Sequence, residues 1–247
     1  MTKDGIGREP SESDLEKYIS VMTRVKLRTE EARTLLWTAK DERSGLYAAV
    51  QLRLAIEEVA VASFVGNRRV LEELNFSLPK VSWKSVRKRL LELNTRYWPK
   101  GITQVRHPDG RIEWKDTDGR IEEEEVAEIW GRLSSLLHTA NPYDEAINWP
   151  ATIVYLREVT RRLIRTLNEH ILHLYGSTHL LCGQFWSDPP NFYVFRDVGD
   201  AKDFDDSHLR NQHLATDPEP QWGSPRLRRC GEVRDRRRGS PPRLGRH

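Results

Sequence analysis

Apolar residues recur at helical spacing through most of the first 175 positions, and this periodicity restricts the chain to a fold built mainly from packed helices. Leu15, Tyr18, Ile19, Met22 and Val25 follow the i, i+3, i+4, i+7 rule of one buried stripe, and Ser13-Asp14-Leu15-Glu16 reads as the capping box that opens that helix. Thr29 followed by Glu30 and Glu31 predicts a restart, because an N-cap oxygen and two carboxylates suit the free N–H groups of a helix start. The second helix would then run to about Phe64 through Leu35, Leu36, Ala39, Leu46, Val50, Leu54 and Val61, with Ser44-Gly45 as a kink.

Further helices are predicted from Asn67 to about Leu74, from Trp83 to about Tyr97, from Glu122 to Leu137, and from Pro150 to about Tyr175. The period changes to two where Val105, His107, Ile112 and Trp114 flank Pro108-Asp109-Gly110, which predicts a β-hairpin over 102–115. A second hairpin is expected over 179–196 around Ser187-Asp188-Pro189-Pro190-Asn191. The expected organisation is a loose leader over 1–11, a mainly α domain over 12–200 with one inserted and one C-terminal hairpin, and a disordered Arg/Pro-rich stretch over 201–247. That last stretch has too few apolar residues to offset chain entropy.

Charge must be read by segment. Nine arginines against Glu232 and Asp235 give residues 225–247 a net charge of +7, whereas the whole chain is +3, so residues 1–224 carry −4. The basic balance therefore belongs to the C-terminal stretch and does not mark the folded body as nucleic-acid-binding. Two cysteines build no disulfide framework, and the first residues lack the basic-then-apolar order of a signal peptide, so a cytoplasmic location is expected. The most apolar helical stretch, Tyr47 to Val65, contains Gln51, Arg53, Glu57 and Glu58, a polar density that argues against a membrane span.

The most informative segment is Gly131-Arg132-Leu133-Ser134-Ser135-Leu136-Leu137-His138-Thr139-Ala140-Asn141-Pro142, which places an arginine, a histidine and an Asn-Pro stop at the close of a late helix. Arg132, five residues, then His138 resembles the Arg-x(4–6)-His motif of the HEPN superfamily, the higher-eukaryote and prokaryote nucleotide-binding helical domains. The early helix with Leu52-Arg53-Leu54-Ala55-Ile56-Glu57-Glu58 is similar to the long early helix of HEPN-like proteins of bacterial defence. The resemblance implies a HEPN-like helical bundle and metal-independent RNA cleavage of a defence or toxin type. It also implies a homodimer that brings two motifs together, a protein partner such as an antitoxin, and no cofactor.

The residue types suit that chemistry. A neutral imidazole at His138 can take the proton of a ribose 2′-hydroxyl, and the planar fork of Arg132 can donate to a phosphorane. Arg53 and Glu57, four positions apart, can pair across one helical turn, either lining the same cleft as Arg132 or forming a half-buried ion pair that orients two helices; Asn141, at the helix stop, is a further candidate binding residue. Lys84, Arg87 and Lys88, with Arg89, form the best phosphate-binding face of the folded region. Leu133 stands where many active members of the superfamily carry a polar residue, which keeps open a different reading: a catalytically silent helical interaction module.

A metal reading rests on His170 and His173 one helical turn apart, with Glu169, His179 and Cys182 nearby; a negative helix end accounts for the two histidines equally well, and no metal is expected. Asp116-Thr117-Asp118-Gly119 reads as a turn, since the remaining ligands of a calcium loop are missing.

Overall fold

The computed structural model describes residues 10–38, 41–68, 83–110, 112–138, 146–175, 179–186 and 191–196. Among them, helix α1 (Glu12–Thr38) lies along α2 (Glu42–Gly66). Arg24 reaches Glu58 at 3.2 Å, and Arg28 reaches Glu58 at 3.0 Å and Gln51 at 2.9 Å, so the two helices run antiparallel. Their seam is the centre of the core. Tyr18, Met22, Val25, Ala32 and Leu36 of α1 meet a face of α2 rich in small residues, Ala48, Ala49, Leu52, Ala55, Ile56, Val59 and Ala60, all buried. Each large apolar side chain removed from water there stabilises the fold by about 1.5–3 kcal/mol.

The helix does not restart at Thr29. Thr29 is buried in mid-helix and its hydroxyl donates to the carbonyl of Val25 at 2.8 Å, which satisfies the side chain without ending the helix. The break comes instead between Thr38 and Glu42, where Asp41 caps α2 by accepting from the Ser44 N–H at 2.8 Å. Ser44-Gly45 therefore belongs to the first turn of α2 rather than to a kink. Gly45 is required there, since a Cβ would stand 2.8 Å from the Trp149 ring. At the start of α1 the cap is Ser11, two residues earlier than expected: the Asp14 N–H donates to its Oγ at 3.2 Å, and its hydroxyl donates to the Asp14 carboxylate at 2.5 Å.

Helix α3 (Trp83–Leu93) stops four residues short of Tyr97. Asn94 ends it by bonding outward, its Nδ2 donating to the His173 carbonyl at 2.9 Å and its Oδ1 accepting from the Arg96 N–H at 2.9 Å. Strands β1 (Lys100–Arg106) and β2 (Ile112–Asp116) form the expected hairpin, with Gly110 at a φ of 85° supplying the left-handed turn residue. Helix α4 (Glu123–Ser135) follows, capped by a box in which the Glu122 N–H donates to Glu125 at 3.0 Å.

Helix α5 (Trp149–Leu167) starts as expected, with Asn148 accepting from the Ala151 N–H at 3.1 Å and Pro150 in the first turn. It does not reach Tyr175. Residues Glu169–His173 form strand β3, which pairs with β1 and with β4 (His179–Gln184). With β5 (Asn191–Arg196) the result is one antiparallel sheet in the order β2-β1-β3-β4-β5, so the two hairpins are halves of a single sheet. β1 crosses α5 so closely that a Cβ on Gly101 would lie 2.8 Å from the Arg165 carbonyl oxygen.

Three of the four glutamates at the start of α4 hold partners around it. Glu123 accepts from Arg87 of α3 at 2.6 Å and from the Tyr97 hydroxyl at 3.1 Å, Glu122 pairs with Arg120 at 2.8 Å, and Glu125 pairs with Arg162 of α5 at 2.5 Å. Arg162 holds the Glu125 carboxyl below the usual carboxylate range. Residues 69–74 of the helix predicted over 67–74, residues 1–9 of the leader expected over 1–11, and the stretch 201–247 lie outside the described residues; Asn67 caps the end of α2. No described helix is long and apolar enough to cross a membrane.

Candidate functional site

The chain around the Arg-to-His motif is wound more tightly than an α-helix. The Leu137 N–H donates to Ser134 at 3.0 Å and the His138 N–H to Ser135 at 3.4 Å, both i to i+3, and Leu136 has φ −65° and ψ −21°. In an ideal α-helix a six-residue step turns about 240° beyond the full turn. Arg132 stands within α4, and His138 lies three residues past its end at Ser135. Both side chains are exposed. The Ser135 hydroxyl donates to the Arg132 carbonyl at 2.8 Å, closing the last turn.

Arg132 has a defined seat. Its guanidinium carbon lies 3.7 Å from the ring centroid of Tyr155 on α5, so the aromatic face takes the cation. Burial raises the Tyr155 phenol above its ordinary value, opposed by the positive charge of Arg132. Leu133, between the two motif residues, is fully buried in the core.

Arg53 and Glu57 do pair, at 3.0 Å, but their third partner is Trp130. The Trp130 indole N–H donates to the same Glu57 oxygen at 2.8 Å, the Arg53 guanidinium sits 5.0 Å from the Trp130 ring, and Trp83 stacks on that ring at 6.1 Å. Trp130 precedes Arg132 by two residues, about 200° around the helix. The structure thus brings Arg53 and Glu57 to the junction of α2, α3 and α4, while Arg132 faces α5; it does not gather the three into one cleft. On α3, Arg87 is half-buried against Glu123 and Arg89 pairs with Glu92 at 2.8 Å, so two of the four cations proposed as a phosphate face already hold carboxylates; Lys88 is exposed. The Lys84 side chain and Asn141 lie outside the described residues.

The histidines grouped by the metal reading are separated by the strand. His170 and His173 stand an odd number of positions apart in β3 and so face opposite sides of the sheet. His170 is fully buried. Its Nδ1 lies 2.9 Å from the Leu167 carbonyl, which can only accept, so Nδ1 carries the proton and Nε2, at 3.2 Å, accepts from the Tyr18 hydroxyl. Burial lowers the His170 pKa to about 4 and raises the Cys182 thiol to about 12, so the one is neutral and the other protonated at neutral pH. No group of three His, Cys, Asp or Glu side chains among the described residues is placed to hold a metal ion.

Two hollows mark the surface. One of about 740 Å³ is lined by Asp41, Arg43, Leu46, Tyr47 and Val50, and one of about 450 Å³ lies among Arg96, Lys100, Arg120, Glu122 and His173. Neither of these two is lined by Arg132 or His138. Tyr155 and Trp130, which organise the two faces of α4, carry no sequence signal beyond helical spacing. No family model matches the chain, and neither a curated protein nor a solved structure matches it.

Proposed function

We propose that the chain is a HEPN-like, metal-independent endoribonuclease of a defence or toxin type, acting in the cytoplasm as a homodimer. The observation that supports this best is an exposed arginine, seated on Tyr155 at 3.7 Å, at the same helix end as an exposed histidine. His138 takes the proton of a ribose 2′-hydroxyl, the 2′-oxygen forms a bond to phosphorus, and the bond from phosphorus to the 5′-oxygen breaks. The 5′-oxygen leaves with a proton returned from the imidazolium. Arg132 donates to the non-bridging oxygens, whose charge grows as the phosphorane forms.

The products identify this route. RNA incubated with the protein in excess EDTA is expected to end in a 2′,3′-cyclic phosphate and a 5′-hydroxyl, and a single 2′-deoxy substitution at the scissile nucleotide should block cleavage there. Cleavage that requires added metal and leaves 5′-phosphates would overturn the proposal. A second reading, a catalytically silent helical interaction module, is favoured by Leu133: the position after the arginine is spent on the core. On that reading RNA stays intact and the protein still binds its partner.

A further inference from the structure

Trp37 is the most exposed large apolar side chain among the described residues, at 75%, and Val154 follows at 63%. The two stand on helices that touch. Arg157 of α5 donates to the Leu36 carbonyl of α1 through Nε at 3.0 Å and through Nη2 at 2.6 Å. Val154 lies three positions before Arg157, on the same side of α5, and Trp37 directly follows Leu36, so the two exposed side chains are held within about one helical turn of each other in level. Arg24 and Arg28 mark the far flank of α1, where they reach Glu58 and Gln51 of α2. Gln51 is six positions from Gly45, the α2 residue that packs on α5, about 120° away around the helix. Trp37 is nine positions from Arg28 and Arg33 is nine from Arg24, about half a turn around α1, which places both on the α5 side.

Charges on the two helices follow matching offsets. Counting back along α1 from Trp37, the fourth residue is Arg33 and the seventh Glu30; counting forward along α5 from Val154, the fourth is Glu158 and the seventh Arg161. Offsets of four and seven keep each set on one helix side. None of the four charged residues is buried, and Glu158 and Arg161 pair with each other within α5. The two helices run antiparallel, since α1 opposes α2 while α5 follows it: Gly45 at the start of α2 packs on Trp149, and Gly66 at its end lies 3.5 Å from Leu172, just past α5. Both series therefore descend in the same direction, with opposite signs at each level.

We infer that this α1–α5 face joins two copies of the chain about a two-fold axis running along the helices. Such an axis sets α1 of one copy against α5 of the other without shifting levels, so Trp37 meets the partner's Val154, Arg33 the partner's Glu158, and Glu30 the partner's Arg161, each contact occurring twice. Any apolar partner could cover Trp37 and Val154, but the sign-matched series belongs to a second copy of this chain. Helix α4 packs on another flank of α5, through Tyr155 and Arg162, so the contact gives the proposed homodimer a surface without using Arg132 or His138.

The test is sedimentation velocity over a concentration series into the tens of micromolar, with melting curves, on wild type, Trp37→Ala, Arg33→Glu, Glu158→Arg and the variant carrying both charge swaps. Wild type should dimerise reversibly. Trp37→Ala should weaken the dimer by about thirtyfold, the loss of a central aromatic anchor, while the melting temperature of the monomer stays unchanged because the ring is exposed. Each single swap sets like charges against each other twice and should weaken the dimer by about tenfold or more. The double swap restores opposite signs and should recover most of the affinity, which separates a contact between copies from a change in either copy's own stability. A wild type that stays monomeric throughout, a Trp37→Ala dimer as tight as wild type, or a double swap no tighter than the single ones would overturn the inference. So would a monomer in which Trp37→Ala removes only the capture of a different protein. A protein that dimerises through this face and cleaves no RNA would refute the ribonuclease reading and leave the face standing.

Discussion

Replacing His170 with glutamine should remove a specific acid sensitivity from the protein. The imidazole is fully enclosed by Leu167, Tyr18, Phe192 and Gly183, and burial lowers its pKa from 6.5 to about 4. The unfolded chain therefore binds a proton near pH 6.5 that the folded chain refuses until about pH 4. Stability is unaffected by this group above pH 6.5, falls by about 1.4 kcal/mol per pH unit as the pH drops through the interval, and levels off below pH 4. Between pH 6.5 and pH 5 the loss from this one side chain is about 2 kcal/mol. The neighbouring Glu169 acts in the opposite direction, because burial raises its carboxyl, and it remains present in both proteins. Asp116 and Glu125, lowered by Lys100 and Arg162, lose their contribution only as the pH falls through the depressed carboxylate range. Urea denaturation of wild type and His170→Gln at pH 7.5, 6.5, 5.8 and 5 isolates the difference: the wild type should lose about 2 kcal/mol relative to the variant across the interval. Parallel pH profiles, or a His170 resonance titrating near 6.5, would refute the reasoning.

Gly101→Ala should destabilise by about 1–3 kcal/mol, measured by denaturant midpoint, because its Cβ would meet the backbone oxygen of Arg165 at 2.8 Å and neither strand nor helix can yield cheaply. Trp130→Phe keeps the stack on Trp83 but leaves Glu57 without the indole donor, and a loss of about 1–2 kcal/mol in the same measurement is expected. Glu123→Gln should weaken the α3–α4 junction, loosening Trp83–Leu93 first, which hydrogen exchange would read as faster exchange of those amides with α1 and α2 unchanged. Arg132→Lys should lower RNA cleavage far more than RNA binding, since a point charge cannot reproduce a fork across the developing phosphorane charge; equal losses in both would assign Arg132 to binding alone.

Local periodicity made much of the helical scaffold legible. The stripe from Leu15 to Val25, the Pro108-Asp109-Gly110 turn and the start of α5 at Asn148-Trp149-Pro150 each carry their own signal, and each is found in place. The extension of α5 through β3 was misread because the pattern satisfies two periods at once. Leu167, Ile171 and Leu174 sit at i, i+4 and i+7 and extend a helical stripe on paper, but His170 and Leu172 are buried at period two because β1 and β4 need a strand between them. Thr29 offered a capping hydroxyl that the fold spends on the Val25 carbonyl. At the candidate site the motif itself was visible, as was the Arg53–Glu57 spacing. The partners were not: Tyr155 lies 23 positions beyond Arg132, Trp130 lies 73 beyond Glu57, and Tyr18 lies 152 before His170. Contacts across such separations leave no periodic trace, so only the assembled helices reveal which face of α4 each residue serves.

The most direct test of the account is RNA cleavage by purified wild type and His138→Ala in excess EDTA, with both melting curves recorded. His138 is exposed beyond the end of α4, and removing an exposed side chain should leave the melting curve nearly unchanged, within about 0.5 kcal/mol of stability. The account predicts cleavage by the wild type, none by His138→Ala, and superimposable melting curves. Equal cleavage by the two proteins, activity that returns only with added metal, or no cleavage by either would contradict it.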